Sequence, residues 1–176
     1  MAGYIGNYPT AVPLSGADLT DGIITSAKIA DGTITNADLA SGVGGKVLQV
    51  VTYQDTSQRS TTSTSFVDVP SFQATITPSS VSNKILLLLS SSTGNNSTQE
   101  TIFNIQRNGS NLANPQGFSY AYGNTFTYQH IHISYLDSPS STSALTYKLQ
   151  FRVGGGTGYA NHSGTQGSIT LIEIAG

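Results

Sequence analysis

The sequence of 176 residues contains no cysteine. That absence removes a disulfide framework, a thiol nucleophile and any cysteine-ligated zinc site. Charge is scarce as well. Asp, Glu, Lys and Arg make up 9% of the chain, against about a quarter in an ordinary globular domain. The formal net charge is −2 and Lys and Arg form no run, so nucleic acid is not an expected partner. The longest aliphatic run, residues 85–89, falls far short of the roughly 20 apolar residues of a spanning helix. A membrane is therefore not an expected partner either. The opening stretch MAGYIGNYPTAVP has no basic segment followed by an apolar one, so no signal peptide is expected. Asn96, Asn108 and Asn161 stand in Asn-x-Ser/Thr triplets, which read as coincidence in a chain so rich in Asn and Ser.

Polarity comes instead from Ser, Thr, Asn, Gln and Gly, a mix that favours strands and turns over helices. The pattern changes at SGVGGK, residues 41–46. Two parts follow from this: an N-terminal arm over residues 1–45 and a folded domain over residues 46–176. In the domain, KVLQVVTY (46–53), TIFNIQR (101–107), FTYQHIHISYL (126–136), LTYKLQFRV (145–153) and SITLIEIA (168–175) read as strands. SFVDVP and FQATIT, within 65–77, read as two short strands broken at Pro70. KILLLLS (84–90) is continuously aliphatic, which predicts a strand buried on both faces. LTYKLQFRV alternates, with Leu145, Tyr147, Leu149, Phe151 and Val153 inward and Lys148, Gln150 and Arg152 outward. In FTYQHIHISYL, Ile131, Ile133 and Tyr135 take one side and Tyr128, His130 and His132 the other. Asn108-Gly109 predicts a two-residue hairpin. VGGGTG (153–158) precedes no helical pattern; it reads as a flexible loop and not as a phosphate-binding one. About eight strands without a helical period imply an all-β sandwich or barrel.

The arm is repetitive. DGIITSAKIA (21–30) and DGTITNADLA (31–40) are one phrase written twice, and AVPLSGADLT (11–20) is a degenerate third copy. Leu14, Leu19, Ile24, Ile29, Ile34 and Leu39 recur every five residues. Asp-Gly marks a turn in each full unit. Thr25 or Ser26, and Thr35 or Asn36, are placed to cap about one helical turn, AKIA or ADLA. One such turn is not stable alone. Burying two aliphatic side chains per unit, at roughly 1.5–3 kcal/mol each, does not offset roughly 1–2 kcal/mol of backbone entropy per residue. The arm is thus either a linker or a segment that orders against other chains. Aliphatic residues kept in strict register, between slots that vary in charge, favour the second reading.

Catalytic chemistry finds little support. No G-x-S-x-G elbow occurs. The acids after residue 46 are Asp55, Asp68, Glu100, Asp137 and Glu173, widely scattered, whereas glycoside cleavage needs a carboxylate pair at fixed separation. His130 and His132 share one strand face, but two imidazoles lack the third ligand a metal site needs. His162 sits in a loop without an evident partner. No catalytic residue, metal or cofactor is expected. GFSYAYGNTFTYQ (117–129) is aromatic-rich. Tyr120, Tyr122 and Tyr128, together with His130 and His132, are candidates either for packing between subunits, where Tyr is favoured, or for stacking on a glycan.

Four segments in order, DVPSFQATITPSSVSNKILLLLSSS, FNIQRNGSNL, SPSSTSALTYKLQFRV and the terminal SITLIEIAG, resemble the jelly-roll head domain of bacteriophage structural proteins, especially those of cyanophages. The DGTITNADLA repeat is similar to the stems and arms of phage fibre and decoration proteins. The resemblance implies a tumour-necrosis-factor-like jelly-roll β-sandwich, a homotrimer, and no catalytic residues. It also implies a place on the phage particle after synthesis in the host cytoplasm. The expected function is capsid decoration (a cement protein), with the arm gripping the major capsid protein or another virion protein. The alternative is a short tail fibre or spike that holds a host surface glycan.

Overall fold

A computed structural model of the chain describes residues 22, 24–35, 38–39, 46–112, 115–122 and 128–176. The chain divides into two units, Met1–Gly44 and Gly45–Gly176. Among the described residues the larger unit contains β1 (Val47–Asp55), β2 (Arg59–Thr61), β3 (Val67–Ile76), β4 (Lys84–Asn95), β5 (Glu100–Arg107), β6 (Ser110–Asn111), β7 (Ser119–Tyr122), β8 (Gln129–Asp137), β9 (Leu145–Val153), β10 (Gly158–Ala160) and β11 (Gly167–Ile174). Beyond them only one short 3-10 turn, His162–Gly164, is helical. The all-β expectation holds.

The strands form two antiparallel sheets packed as a sandwich. In the first, β1 pairs β11, β11 pairs β4, and β8 lies on the other edge of β4. Short β10 takes over from β11 along the far end of β4, and β2 pairs β10. In the second, β3 pairs β9, β9 pairs β5, and β6 and β7 both lie on the remaining edge of β5. The core lies between the sheets. Ile85, Leu87 and Leu89 of β4, Ile131 and Ile133 of β8, and Ile169 and Leu171 of β11 face Phe72 and Ile76 of β3, Phe103 and Ile105 of β5, and Leu145, Tyr147, Leu149 and Phe151 of β9.

Two local expectations hold. The inward set of β9, Leu145 to Val153 by alternate residues, is buried throughout. Asn108 and Gly109 both have positive φ, 46° and 91°, and join β5 to β6 with Arg107 opposite Ser110. Three others need correction. Pro70 does not break the chain into two strands: β3 is continuous, and its register slips between Asp68 and Gln73 with Ser71 at φ 64°. A bulge accommodates the proline because its missing N–H falls outside the ladder. The aliphatic run of β4 is buried on one face only; Leu88 on the other is 41% exposed. The glycines of VGGGTG do not make a free loop. Asn95 donates to the Gly155 carbonyl at 3.2 Å, and Asn96 and Thr157 exchange hydrogen bonds of 3.1 and 2.7 Å. Gly156 has φ 70°, a left-handed conformation that favours glycine.

Two inward-facing acids terminate core strands. Asp137 ends β8 and accepts hydrogen bonds from the Tyr147 hydroxyl at 2.7 Å and from the Arg107 guanidinium, linking the sheets. Burial, and then the Asp137 carboxylate, push the Tyr147 phenol well up. Glu173, near the end of β11, accepts from the Ser79 amide at 2.6 Å, the Ser79 hydroxyl at 2.8 Å and the Asn83 amide at 2.7 Å. Burial acts to raise its pKa, but the hydrogen bonds from Asn83 and Ser79 outweigh that and hold it below the ordinary 4.5. Because the folded value is lowered, this contribution is fully present above pH 4.5 and is lost as the pH falls through the folded value. Glu173→Gln is expected to lower stability near neutrality and to flatten the loss in acid. Denaturant midpoints of parent and variant between about pH 7 and pH 3 check this; parallel curves would disprove it.

The smaller unit is described only in part. Gly22 and Gly32 both have φ 78°, as the Asp-Gly turns require. Thr33 donates to the Ala30 carbonyl through its amide at 3.1 Å and its hydroxyl at 2.6 Å. The expected AKIA turn is displaced: a 3-10 turn spans Ser26–Lys28, and Thr25 makes no side-chain cap. The second unit closes differently. Asp38 accepts from the Thr35 amide at 2.9 Å and the Thr35 hydroxyl at 2.7 Å, half of a capping box. Lys28 occupies that slot in the preceding unit and has no acceptor to offer.

Candidate interaction surfaces

The outer face of the first sheet is set by strand register. One row across β1, β11, β4 and β8 reads Val50, Ile172, Leu86, Leu136. The next reads Thr52, Thr170, Leu88, Ser134, and the third Gln54, Ser168, Ser90, His132. Hydroxyl contacts of 3.1 Å between Thr52 and Thr170 and between Ser90 and Ser168 confirm that these side chains share a face. Val50 is 56% and Leu136 49% exposed, and Val47 continues the face in a further row with Ile174 and the exposed Lys84. A groove of about 260 Å³ runs between Leu88, Ser90, His132, Ser134, Ser168 and Thr170. The three rows contain no Asp, Glu, Lys or Arg.

All three histidines of the chain lie toward the polar end of this face. His130 pairs Ser92 across β8 and β4, and its ring is 6.5 Å from that of His132, nearly parallel. The His162 ring sits 4.6 Å from Tyr128 and 4.9 Å from Tyr159. His162 therefore has partners that its loop position did not suggest. Its presentation depends on Asn161, a buried residue at φ 49°. Asn161 exchanges hydrogen bonds with Ser91 at 3.0 and 3.1 Å and donates to the Asp55 carbonyl at 3.0 Å. A hollow of about 140 Å³ opens between Ser92, Tyr128, Gln129, His130, His162 and Thr165. Among the described residues no group of three His or carboxylate side chains is placed to hold a metal ion.

Tyr120 and Tyr122 stand elsewhere. On β7 they lie opposite Ile102 and Glu100 of β5, on the outer face of the second sheet, 71% and 61% exposed. The five aromatic and histidine candidates thus divide between opposite faces of the sandwich. The second outer face also carries charge, internally paired. Asp68 accepts from Gln150 at 2.8 Å and from Lys148 at 3.0 Å. Burial acts to raise the Asp68 pKa, but these partners outweigh it and lower the value. Arg152 stacks over Phe66 at 5.1 Å.

Asp55 accepts from the Ser57 amide at 2.9 Å and lies 3.3 Å from Arg59. Asp137 and Glu173 have the partners already given. In the arm, Ile24, Ile29 and Ile34 are exposed and Leu39 is partly buried; Leu14 and Leu19 lie outside the described residues. No protein-family model matches the chain, and no curated protein matches it.

Proposed function

We propose that this chain is a structural subunit of a bacteriophage particle, a homotrimeric capsid decoration protein. Its N-terminal arm binds the shell, and its sandwich projects from the particle surface. The observation that carries the proposal is the row of exposed Ile24, Ile29 and Ile34, set five residues apart in a unit with too little apolar surface to bury them. Such a row is suited to packing against another protein. Jelly-roll topology is supported by strand order. The eight main strands in chain order are β1, β3, β4, β5, β7, β8, β9 and β11. One sheet takes the first, eighth, third and sixth, the other the second, seventh, fourth and fifth, the interleaving of a double-sheet jelly roll. Decoration works by mass action, because a protein that binds only the assembled shell favours the shell.

The alternative, a short tail fibre or spike holding a host surface glycan, draws its support from Tyr120 and Tyr122, whose rings stand free for stacking. Quantitative mass spectrometry of purified particles separates the two. Decoration predicts a copy number that scales with shell area, in fixed ratio to the major capsid protein. A copy number matching the tail attachment points would move the assignment to the fibre, and absence from particles would end both.

A further inference from the structure

We infer that the hollow of about 140 Å³ between the end of β4, the start of β8 and the β10–β11 turn is a binding site for one uncharged sugar residue, such as the exposed end of a glycan. The inference goes beyond the decoration reading, because a subunit of either head or tail could carry the site. The lining decides the class of ligand. Every lining residue is Ser, Thr, Tyr, Gln or His, each with a hydroxyl, amide or imidazole to offer. None is Lys or Arg, the side chains that hold phosphate and carboxylate. None is Asp or Glu, and among the described residues no three His or carboxylate side chains converge on a metal position. What suits such a lining is a neutral molecule rich in hydroxyls. The volume sets its size. Pockets for drug-sized ligands start at roughly 300 Å³, so this hollow admits a single ring, with the rest of a chain left outside.

The wall supplies the second half of sugar recognition. Tyr128 is 62% exposed, yet its ring is placed, 4.6 Å from the His162 imidazole, which Tyr159 meets edge-on at 4.9 Å. An aromatic face open to water is the surface on which the C–H face of a pyranose stacks. Nδ1 of His162 lies 2.9 Å from the Ser163 hydroxyl, which leaves Nε2 for a sugar hydroxyl. The turn that presents His162 is fixed from below. The Ser92 and Thr165 hydroxyls contact each other and both donate to the His162 carbonyl, at 3.1 and 3.0 Å. The Ser163 amide donates to Gln58 at 2.8 Å. Asn161 and Ser163 have φ 49° and 58°, a conformation that costs free energy in residues other than glycine and is held only by such surroundings. A site already in its bound shape loses little freedom when it is filled.

The test uses full-length protein. The probes are the methyl glycosides of glucose, galactose, mannose, rhamnose and N-acetylglucosamine, with glucuronate as the charged control. Saturation-transfer NMR should show binding of at least one neutral glycoside and none of glucuronate. Tyr128→Ala and His162→Gln should each weaken that binding by roughly tenfold at an unchanged melting temperature, and Tyr120→Ala on the opposite sheet should bind like the parent. Should either variant fail to fold, amide shifts of the labelled parent decide instead. The glycoside should then move the signals of residues 128–130 and 162–165 and leave those of 119–122 in place. Binding of none of the neutral glycosides overturns the inference and leaves decoration standing. Binding that survives Tyr128→Ala and His162→Gln but is lost in Tyr120→Ala overturns it in favour of the second sheet. Glucuronate bound more tightly than every neutral glycoside overturns the ligand class.

Discussion

Phe151→Ala is expected to destabilise the sandwich by about 3–5 kcal/mol, and Leu87→Ala by about 2–5 kcal/mol. Both side chains are essentially fully buried, one in each sheet. Phe151 lies in the second half of β9, paired with Val67 of β3 on one side and Phe103 of β5 on the other, and stacks on Phe103 at 6.4 Å. Leu87 lies in the middle of β4, opposite Leu171 on one side and Tyr135 on the other. Neither neighbourhood can collapse to fill the space, because strands on both sides hold the backbone at fixed spacing. The loss therefore includes a cavity as well as the transfer of the removed atoms. A domain of this size has about 5–15 kcal/mol of stability in all, so either change takes a large fraction. Denaturant midpoints at fixed protein concentration, with unchanged slope, measure it. Variants that unfold at the parent's midpoint would contradict the placement of these residues in the core.

Position 151 was readable before any coordinates because alternation is a local property. Five inward residues at every second position of β9 can satisfy only a strand with one buried face. The same logic applies to Asn108-Gly109, where the turn needs positive φ at both central residues and the dipeptide supplies it. The KILLLLS run was harder to interpret. Its composition says that both faces are apolar, and it cannot say whether this chain or another one covers the second face. In the isolated chain the answer is that Leu88 remains exposed. Pro70 misled for a related reason: a proline within a strand pattern marks either a break or a bulge, and the choice depends on whether β9 runs alongside on both sides of it.

The candidate surfaces were legible as residue types and not as an arrangement. Tyr120 and Tyr128 are eight positions apart in one aromatic stretch, yet they end on different sheets. The chain passes from β7 in the second sheet to β8 in the first, and no short-range pattern announces such a crossing. His162 met Tyr128 and Tyr159 through a turn set by Asn161, whose partners Ser91 and Asp55 are 70 and 106 residues distant. Glu173 was visible in the sequence as an acid within an apolar strand. Its inward position could have been derived, since Ile169, Leu171 and Glu173 share one parity. Ser79 and Asn83, which make that burial tolerable, could not have been found the same way.

Removing residues 1–45 is expected to leave the sandwich folded and self-associated but unable to join particles. Within the proposed function the arm is the anchor, and its chemistry sets how the anchor behaves. Each of the six aliphatic positions from Leu14 to Leu39 gains about 1.5–3 kcal/mol if fully buried. Ordering the backbone between them consumes roughly 1–2 kcal/mol per residue, so a single arm binds weakly. Three arms on one oligomer bind far more tightly than one, because the second and third attach at high effective concentration. The polar slots between the aliphatics alternate in charge, with Asp18, Lys28 and Asp38 in corresponding places. A contact built on such a segment is mainly apolar and should survive high salt, which screens exposed charges within about 10 Å or less. Co-sedimentation with phage heads lacking this protein tests each step. Full-length protein should pellet with the heads in both low and high salt, and the truncated form should stay in solution. Equal pelleting of the two forms would remove the anchor role from the arm. Binding lost in high salt would replace the apolar contact with a charged one. Binding of the full-length form to isolated tails, and not to heads, would carry the arm's role over to a fibre.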